Sequence, residues 1–105
     1  MIKNNFLIFL FFCIGISAEN FLLIDVRTPE EFELGHIEDS INIEWQNIEL
    51  IEKTSQKDEK IYLYCRSGNR SQKATEILLA LGYKDVKNLG GIKEASITID
   101  KKIIK

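Results

Sequence analysis

The sequence predicts an α/β fold, a parallel sheet of four to five strands flanked by helices. Three observations carry that reading. Short β-prone runs alternate with segments of helical spacing, the order that builds a parallel sheet. The first run is continuously apolar rather than alternating, as strands buried on both faces are. The chain has 105 residues, 45% hydrophobic and 29% charged, which is enough for one domain and unlike a disordered or collagen-like composition.

Residues 1–18, MIKNNFLIFLFFCIGISA, are set aside before the fold is read. One lysine and two asparagines precede an uncharged run from Phe6 to Ile16, and the segment ends in Ser17-Ala18. This is the three-part layout of a secretory signal peptide. The run is shorter than the ~20 residues of a membrane-spanning helix, so cleavage after Ala18 is expected in preference to an uncleaved membrane anchor. Lipid attachment at Cys13 is disfavoured by the bulky Phe12 before it. The expected mature domain is 19–105, periplasmic and without stable membrane contact. It carries 13 basic and 16 acidic residues, a balance that attracts neither nucleic acid nor anionic lipid.

Phe21 to Val26 reads as the first strand. Thr28 then suits a helix N-cap, Pro29 the first helical position, Glu30 and Glu31 the positive end of the dipole, and Gly35 the stop. Ile41 to Ile43 is a second short strand. From Gln46 to Lys53, Ile48, Leu50 and Ile51 are spaced for one helical face, and Thr54 to Lys60 is a polar connector. Ile61 to Tyr64 is the third strand. The clearest helix runs from Ser71 to Leu81, with Ala74, Ile77, Leu78 and Leu81 on one stripe and Gly82 at its end. Val86 to Leu89 is the fourth strand, and Gly90-Gly91 reads as a tight turn. Residues 96–105 read as a short strand or an extended tail, with Lys101, Lys102 and Lys105 on a solvated face.

The chemistry concentrates at Cys65. Once a leader is removed it is the single cysteine, so it has no partner in its own chain and is either a reactive thiol or an intermolecular one. Two cysteines and one histidine in the whole chain cannot supply a four-ligand zinc site, and no metal is expected. Cys65 follows a predicted strand and precedes Arg66-Ser67-Gly68-Asn69-Arg70, after which a helix opens at Ser71. In parallel sheets that edge is where ligands bind. Gly68 and Asn69 both tolerate positive φ, so the loop can curl into a nest of inward N–H groups. The helix dipole, Arg66 and Arg70 add positive potential, and the Cys65 thiol is expected to ionise readily. The same cradle suits an anionic substrate.

CRSGNRS after a strand, DVRTPEEFELGHIEDSINI before it and GYKDVKNLGGI after it resemble the signature stretches of the rhodanese family, in order and over nearly all of 19–105. Within that family the chain looks most like the small periplasmic sulfurtransferases. The resemblance implies a rhodanese-like sheet and sulfur transfer through a Cys65 persulfide, cradled by the N–H groups of Arg66, Ser67, Gly68, Asn69, Arg70 and Ser71. It implies a small anionic donor such as thiosulfate, a thiophilic acceptor such as cyanide or a thiol, a protein acceptor as one form of that thiol, and no cofactor. Asp25 and Arg27 are expected to support the fold or the loop as a strand-end ion pair. His36 is expected to be a hydrogen-bonded structural residue in the Gly35-His36-Ile37 turn, and Trp45 a packing residue. The Asn69-Arg70-Ser71 glycosylation sequon is accidental, lying inside the loop.

Two departures stand out. The tryptophan that many rhodaneses carry after the Gly-Gly pair is missing from GGIKEASITIDKKIIK, and the longer N-terminal element of most single-domain members is absent. The alternative functions are a non-catalytic persulfide carrier and, more remotely, a phosphatase or arsenate reductase. Those enzymes typically place five residues between cysteine and arginine, whereas four separate Cys65 from Arg70 here, a smaller ring better suited to one sulfur atom than to a tetrahedral oxyanion.

Overall fold

The structure, a computed structural model, describes residues 20–105. The expected leader at 1–18 lies outside them. The elements run β1 (Leu22–Asp25), α1 (Pro29–Leu34), β2 (His36–Ile37), β3 (Ile41–Asn42), a 3-10 segment (Trp45–Lys53), β4 (Lys60–Cys65), α2 (Asn69–Ala80), β5 (Asp85–Gly91), α3 (Ile92–Ile99) and β6 (Ile103–Ile104). The main sheet has four strands in the order β3-β1-β4-β5, every neighbouring pair parallel. The α/β expectation therefore holds, with four strands in that sheet.

Period-2 alternation in the two central strands divides the core. Ile24 and Val26 of the β1 segment, with Ile61, Leu63 and Cys65 of β4, pack on Ile48 and Ile51 of the 3-10 segment and on Ala74 and Leu78 of α2. Leu23 and Tyr64 point the other way, to Ile37 and to Ala95 of α3. The last residue of β4 thus directs its side chain to the α2 face, at the amino end of that helix.

Thr28 caps α1 as expected and forms a complete capping box: its Oγ1 accepts from the Glu31 N–H at 3.2 Å while Glu31 Oε1 accepts from the Thr28 N–H at 3.0 Å. His36 Nδ1 bonds the Phe32 carbonyl at 2.8 Å and its ring stacks on Phe32, a structural role as expected. Gly35-His36-Ile37 is more than a turn, however, because His36 and Ile37 pair antiparallel with Ile104 and Ile103. Trp45 packs against the core with the Lys73 ammonium 4.9 Å above its ring.

Four expectations need correction. Leu50 does not share the buried face of its segment, because the tighter 3-10 winding puts Ile48 and Ile51 inward, three residues apart, and leaves Leu50 49% exposed. The loop helix starts at Asn69 rather than Ser71, and Gly68 alone takes the positive φ, +102°. Gly90 and Gly91 end β5 and lead into α3, which covers the second sheet face through Ala95, Ile92 and Ile99; of residues 96–105, read as a short strand or an extended tail, 96–99 are helical while Ile103–Ile104 do form the short strand β6. Its isoleucines and threonine hid a helical stripe at 92, 95 and 99 behind β-prone composition. Lys101 is not simply solvated, since it pairs with Asp39 at 3.1 Å.

Candidate active site

Cys65 closes β4, and its side chain is fully buried in the α2-facing core. The chain then turns back through Gly68, whose left-handed conformation lets the first turn of α2 begin directly behind the sulfur. No side chain caps α2, so its first N–H groups are free to meet another acceptor. That acceptor is Cys65 Sγ. The Gly68 N–H donates to it at 3.0 Å, the Ser71 N–H at 3.4 Å, and the Ser71 hydroxyl oxygen lies 3.3 Å away.

These donors decide the ionisation of the thiol. Burial pushes the Cys65 pKa up, but the Ser71 hydroxyl and the N–H groups of Ser71, Gly68 and Ser67 outweigh it and bring the thiol below its ordinary value. The direction agrees with the sequence expectation, but the largest lowering contributions come from a hydroxyl and the backbone rather than from arginines. Arg70 is bound elsewhere, donating to both carboxylate oxygens of Glu31 at 2.8 and 3.1 Å. Arg66 is exposed beside a cleft of about 600 Å³ that is also lined by Leu34, Gly35, Ile92, Lys93 and Glu94.

Asp25 and Arg27 sit at the end of β1 and form a buried ion pair. The guanidinium spans both Asp25 oxygens, the shortest contact being 2.7 Å, and its Nη2 also donates to the Gly35 carbonyl at 2.6 Å. The Arg27 pKa is raised: burial works to lower it, and the bonds and charge of Asp25 overcome that. Tyr64, beside Cys65 but on the opposite face, accepts from the Ile37 N–H at 3.0 Å, and burial pushes its phenol up to about 12. The strand end that carries the cysteine is therefore fixed from both sides.

Sequence reasoning missed three contributors. Glu31 read only as a dipole residue, yet it joins α1 to the loop through Arg70. Gly91 read as half of a turn, but a Cβ there would stand 2.6 Å from the Arg66 carbonyl oxygen, so β5 can approach the loop only through a glycine. Asn88 of β5 accepts from the Ser71 hydroxyl at 2.6 Å and gave no sequence signal, because nothing in a strand residue 23 positions after Cys65 announces the contact. Among the described residues no three His, Cys, Asp or Glu side chains converge as a metal site.

Comparison with known proteins agrees with this arrangement. The family described as the rhodanese-like domain matches residues 15–97. Thiosulfate sulfurtransferase PspE of Escherichia coli is 34% identical over 76 residues, 70% of this chain and 73% of that protein. The adenylyltransferase and sulfurtransferase UBA4 of Candida albicans is 39% identical over 98 residues, but this chain spans only 22% of that longer protein. The solved structure described as a rhodanese with anions from E. coli superposes with a TM-score of 0.72 at 32% identity, covering 82% of this chain and 99% of that one. Matching fold, matching sequence over most of the domain and a cysteine set in a loop of inward donors lead to one assignment: the chain belongs to the rhodanese-like family.

Proposed function

We propose that this protein is a sulfurtransferase that carries sulfane sulfur on Cys65. The observation that supports it is the convergence of the Gly68 and Ser71 N–H groups and the Ser71 hydroxyl on one buried sulfur, an environment that stabilises a thiolate and the charge of a bound sulfur species. The Cys65 thiolate attacks the outer sulfur of thiosulfate. The S–S bond of the donor breaks, sulfite leaves with its electron pair, and Cys65 holds a persulfide whose negative charge lies on the terminal sulfur. A thiophile such as cyanide or a thiolate then attacks that terminal sulfur and returns the electron pair to Cys65. The loop from Arg66 to Ser71 forms the binding cradle, and Asp25 and Arg27 support it. No metal or organic cofactor enters these steps.

Export belongs to the same proposal, with the mature chain beginning at residue 19 in the periplasm. A second reading is favoured by the cleft beside Arg66, which at about 600 Å³ is far larger than a small oxyanion requires. Here Cys65 is a carrier, loaded and discharged by a protein partner without appreciable turnover of small donors.

Intact mass of the purified protein tests these statements together. Thiosulfate should add one sulfur, ~32 Da, at Cys65, and cyanide should remove it. The starting mass reports whether residues 1–18 are present. An unmodified thiol after thiosulfate, with loading by a persulfide-bearing protein, would select the carrier reading.

A further inference from the structure

The Ser71 hydroxyl has one proton and three acceptors within reach: Asn88 Oδ1 at 2.6 Å, the Gly68 carbonyl at 3.2 Å and Cys65 Sγ at 3.3 Å. It cannot serve all three. The short contact to Asn88 is the committed one while the sulfur is uncharged, and Oγ then presents a lone pair to the S–H. A thiolate changes the balance, because a charged acceptor draws a hydrogen bond roughly twice as strong as a neutral one.

Asn88 is built to hold the other end of that choice. It lies where β5 bulges, Leu63 pairing with Asn88 but Cys65 with Gly91. Its Oδ1 also accepts at 2.9 Å from the N–H of Gly90, the positive-φ residue of the bulge. Its Nδ2 donates to the Gly68 carbonyl and to Gln72 Oε1, both at 3.1 Å. Every hydrogen-bonding position of the amide is used, so it cannot flip, and its oxygen stays satisfied by Gly90 when the hydroxyl turns away.

We infer that Asn88 is a positioning residue that parks the Ser71 hydroxyl proton away from Cys65 and releases it to the sulfur when negative charge forms there. This rests on the reading of Cys65 as the reacting group. In the loaded enzyme Cys65 Sγ is bonded to the terminal sulfur and carries no charge, and the hydroxyl rests on Asn88. As an acceptor thiolate attacks the terminal sulfur, the S–S bond breaks and its electron pair moves to Sγ. The hydroxyl then turns from Oδ1 to Sγ and meets that charge. Competition for the proton also keeps Cys65 a more basic, stronger nucleophile than it would be with Ser71 permanently bonded to it.

The sign of a pKa change tests this. The pH dependence of alkylation at Cys65, followed by mass of the Cys65 peptide, reads the pKa without requiring sulfur transfer, so it remains decisive if the proposed activity fails. Ser71→Ala should raise the Cys65 pKa. Asn88→Ala should lower it, because the hydroxyl is freed for the thiolate, and should have no effect in the Ser71→Ala background. The charged groups around the loop are Arg66 and Arg70, Glu31 on Arg70, the Asp25 and Arg27 pair at the end of β1, and Lys93 and Glu94 of α3. All of them are retained in every variant. If Asn88 only braces the loop, Asn88→Ala loosens the sulfur's donors and raises the pKa as Ser71→Ala does, which overturns the inference. An unchanged pKa in Asn88→Ala overturns it as well. The Gly68 and Gly90 amide resonances report whether the loop has kept its conformation, and Asn88→Thr, which restores one side-chain acceptor, should return the pKa toward the starting value.

Discussion

Arg70 faces Glu31 rather than the Cys65 sulfur: its guanidinium lies on the carboxylate with contacts of 2.8 and 3.1 Å, and the same Glu31 closes the capping box of α1. One side chain therefore links the start of the first helix to the active loop and neutralises part of the charge that would attract an anionic donor. The bond from Arg70, working against burial and helped by the Thr28 amide, holds the Glu31 carboxyl down to about 2.

The pair makes a prediction with a defined pH window. A carboxyl whose folded pKa is depressed stabilises the fold fully above its ordinary value of 4.5 and loses that contribution as pH falls toward about 2. Glu31→Gln keeps the capping box, since Gln serves at that position, but removes the charge. It should cost about 0.5–1 kcal/mol at pH 7, the pair being partly exposed. Thermal unfolding curves of the two proteins should converge as pH falls from 4.5 to 2, whereas a constant gap would show that the charge contributes nothing. The freed Arg70 should also lower the KM for thiosulfate about 2–5-fold.

Cys65→Ser should abolish persulfide formation and leave the far-ultraviolet circular dichroism unchanged, because the substitution is nearly isosteric. It should also alter the pH dependence of stability. The folded thiol ionises below its ordinary value, so ionisation stabilises the native state as pH rises through that interval and contributes nothing below it. The difference in Tm between the native protein and Cys65→Ser should be flat in acid and grow toward alkaline pH. A difference that shrinks with rising pH would mean that burial, not the donor cradle, governs the sulfur.

The strands of the main sheet and the position of the loop were legible because they depend on local signals. Phe21 to Val26 and Ile61 to Tyr64 are apolar enough to be central strands, and a cysteine between a strand and a helix-opening glycine defines a sheet-edge site. What escaped was set by tertiary contact. The isoleucines of α3 have strand propensity, and only the uncovered sheet face beneath them makes a helix the better packing. The partners of Arg70 and Ser71 lie 39 and 17 residues away, on elements whose approach no local pattern encodes. Arg70 does interact attractively with the Cys65 charge, as its sign suggested, but the N–H groups at 3.0 and 3.4 Å bond the sulfur directly and are fixed by the backbone.

The Asp25 and Arg27 pair should behave as a buried one. Its side chains are 0% and 9% exposed, so truncating either partner leaves an uncompensated charge in the interior. Asp25→Ala or Arg27→Ala should destabilise by about 3–5 kcal/mol, while the joint replacement Asp25→Leu with Arg27→Met should be much milder. Urea unfolding of the three variants checks this. Equal loss in the joint variant would mean that the bond from Arg27 to the Gly35 carbonyl, rather than the ion pair, is what the end of β1 requires.

Two glycines separate loop geometry from general stability. Gly91 has an ordinary φ of −78°, so alanine brings no backbone strain, but its Cβ would stand 2.6 Å from the Arg66 carbonyl oxygen and 2.5 Å from Glu94 Oε1. The glutamate can swing aside. The Arg66 carbonyl cannot move without shifting the loop that aims its donors at Cys65. Gly91→Ala should therefore cost about 1–3 kcal/mol by overpacking and slow sulfur transfer by about 10–100-fold through misplaced donors. Gly82 presents the reverse case, with a φ of +100° and nothing within 4 Å of an added Cβ. Gly82→Ala should cost about 1–2 kcal/mol through left-handed strain alone and leave turnover per folded molecule unchanged. Measuring stability and turnover on both variants decides the matter. Comparable activity loss in the two would mean that the loop responds to global softening, and that the approach of β5 through Gly91 has no special part in holding it.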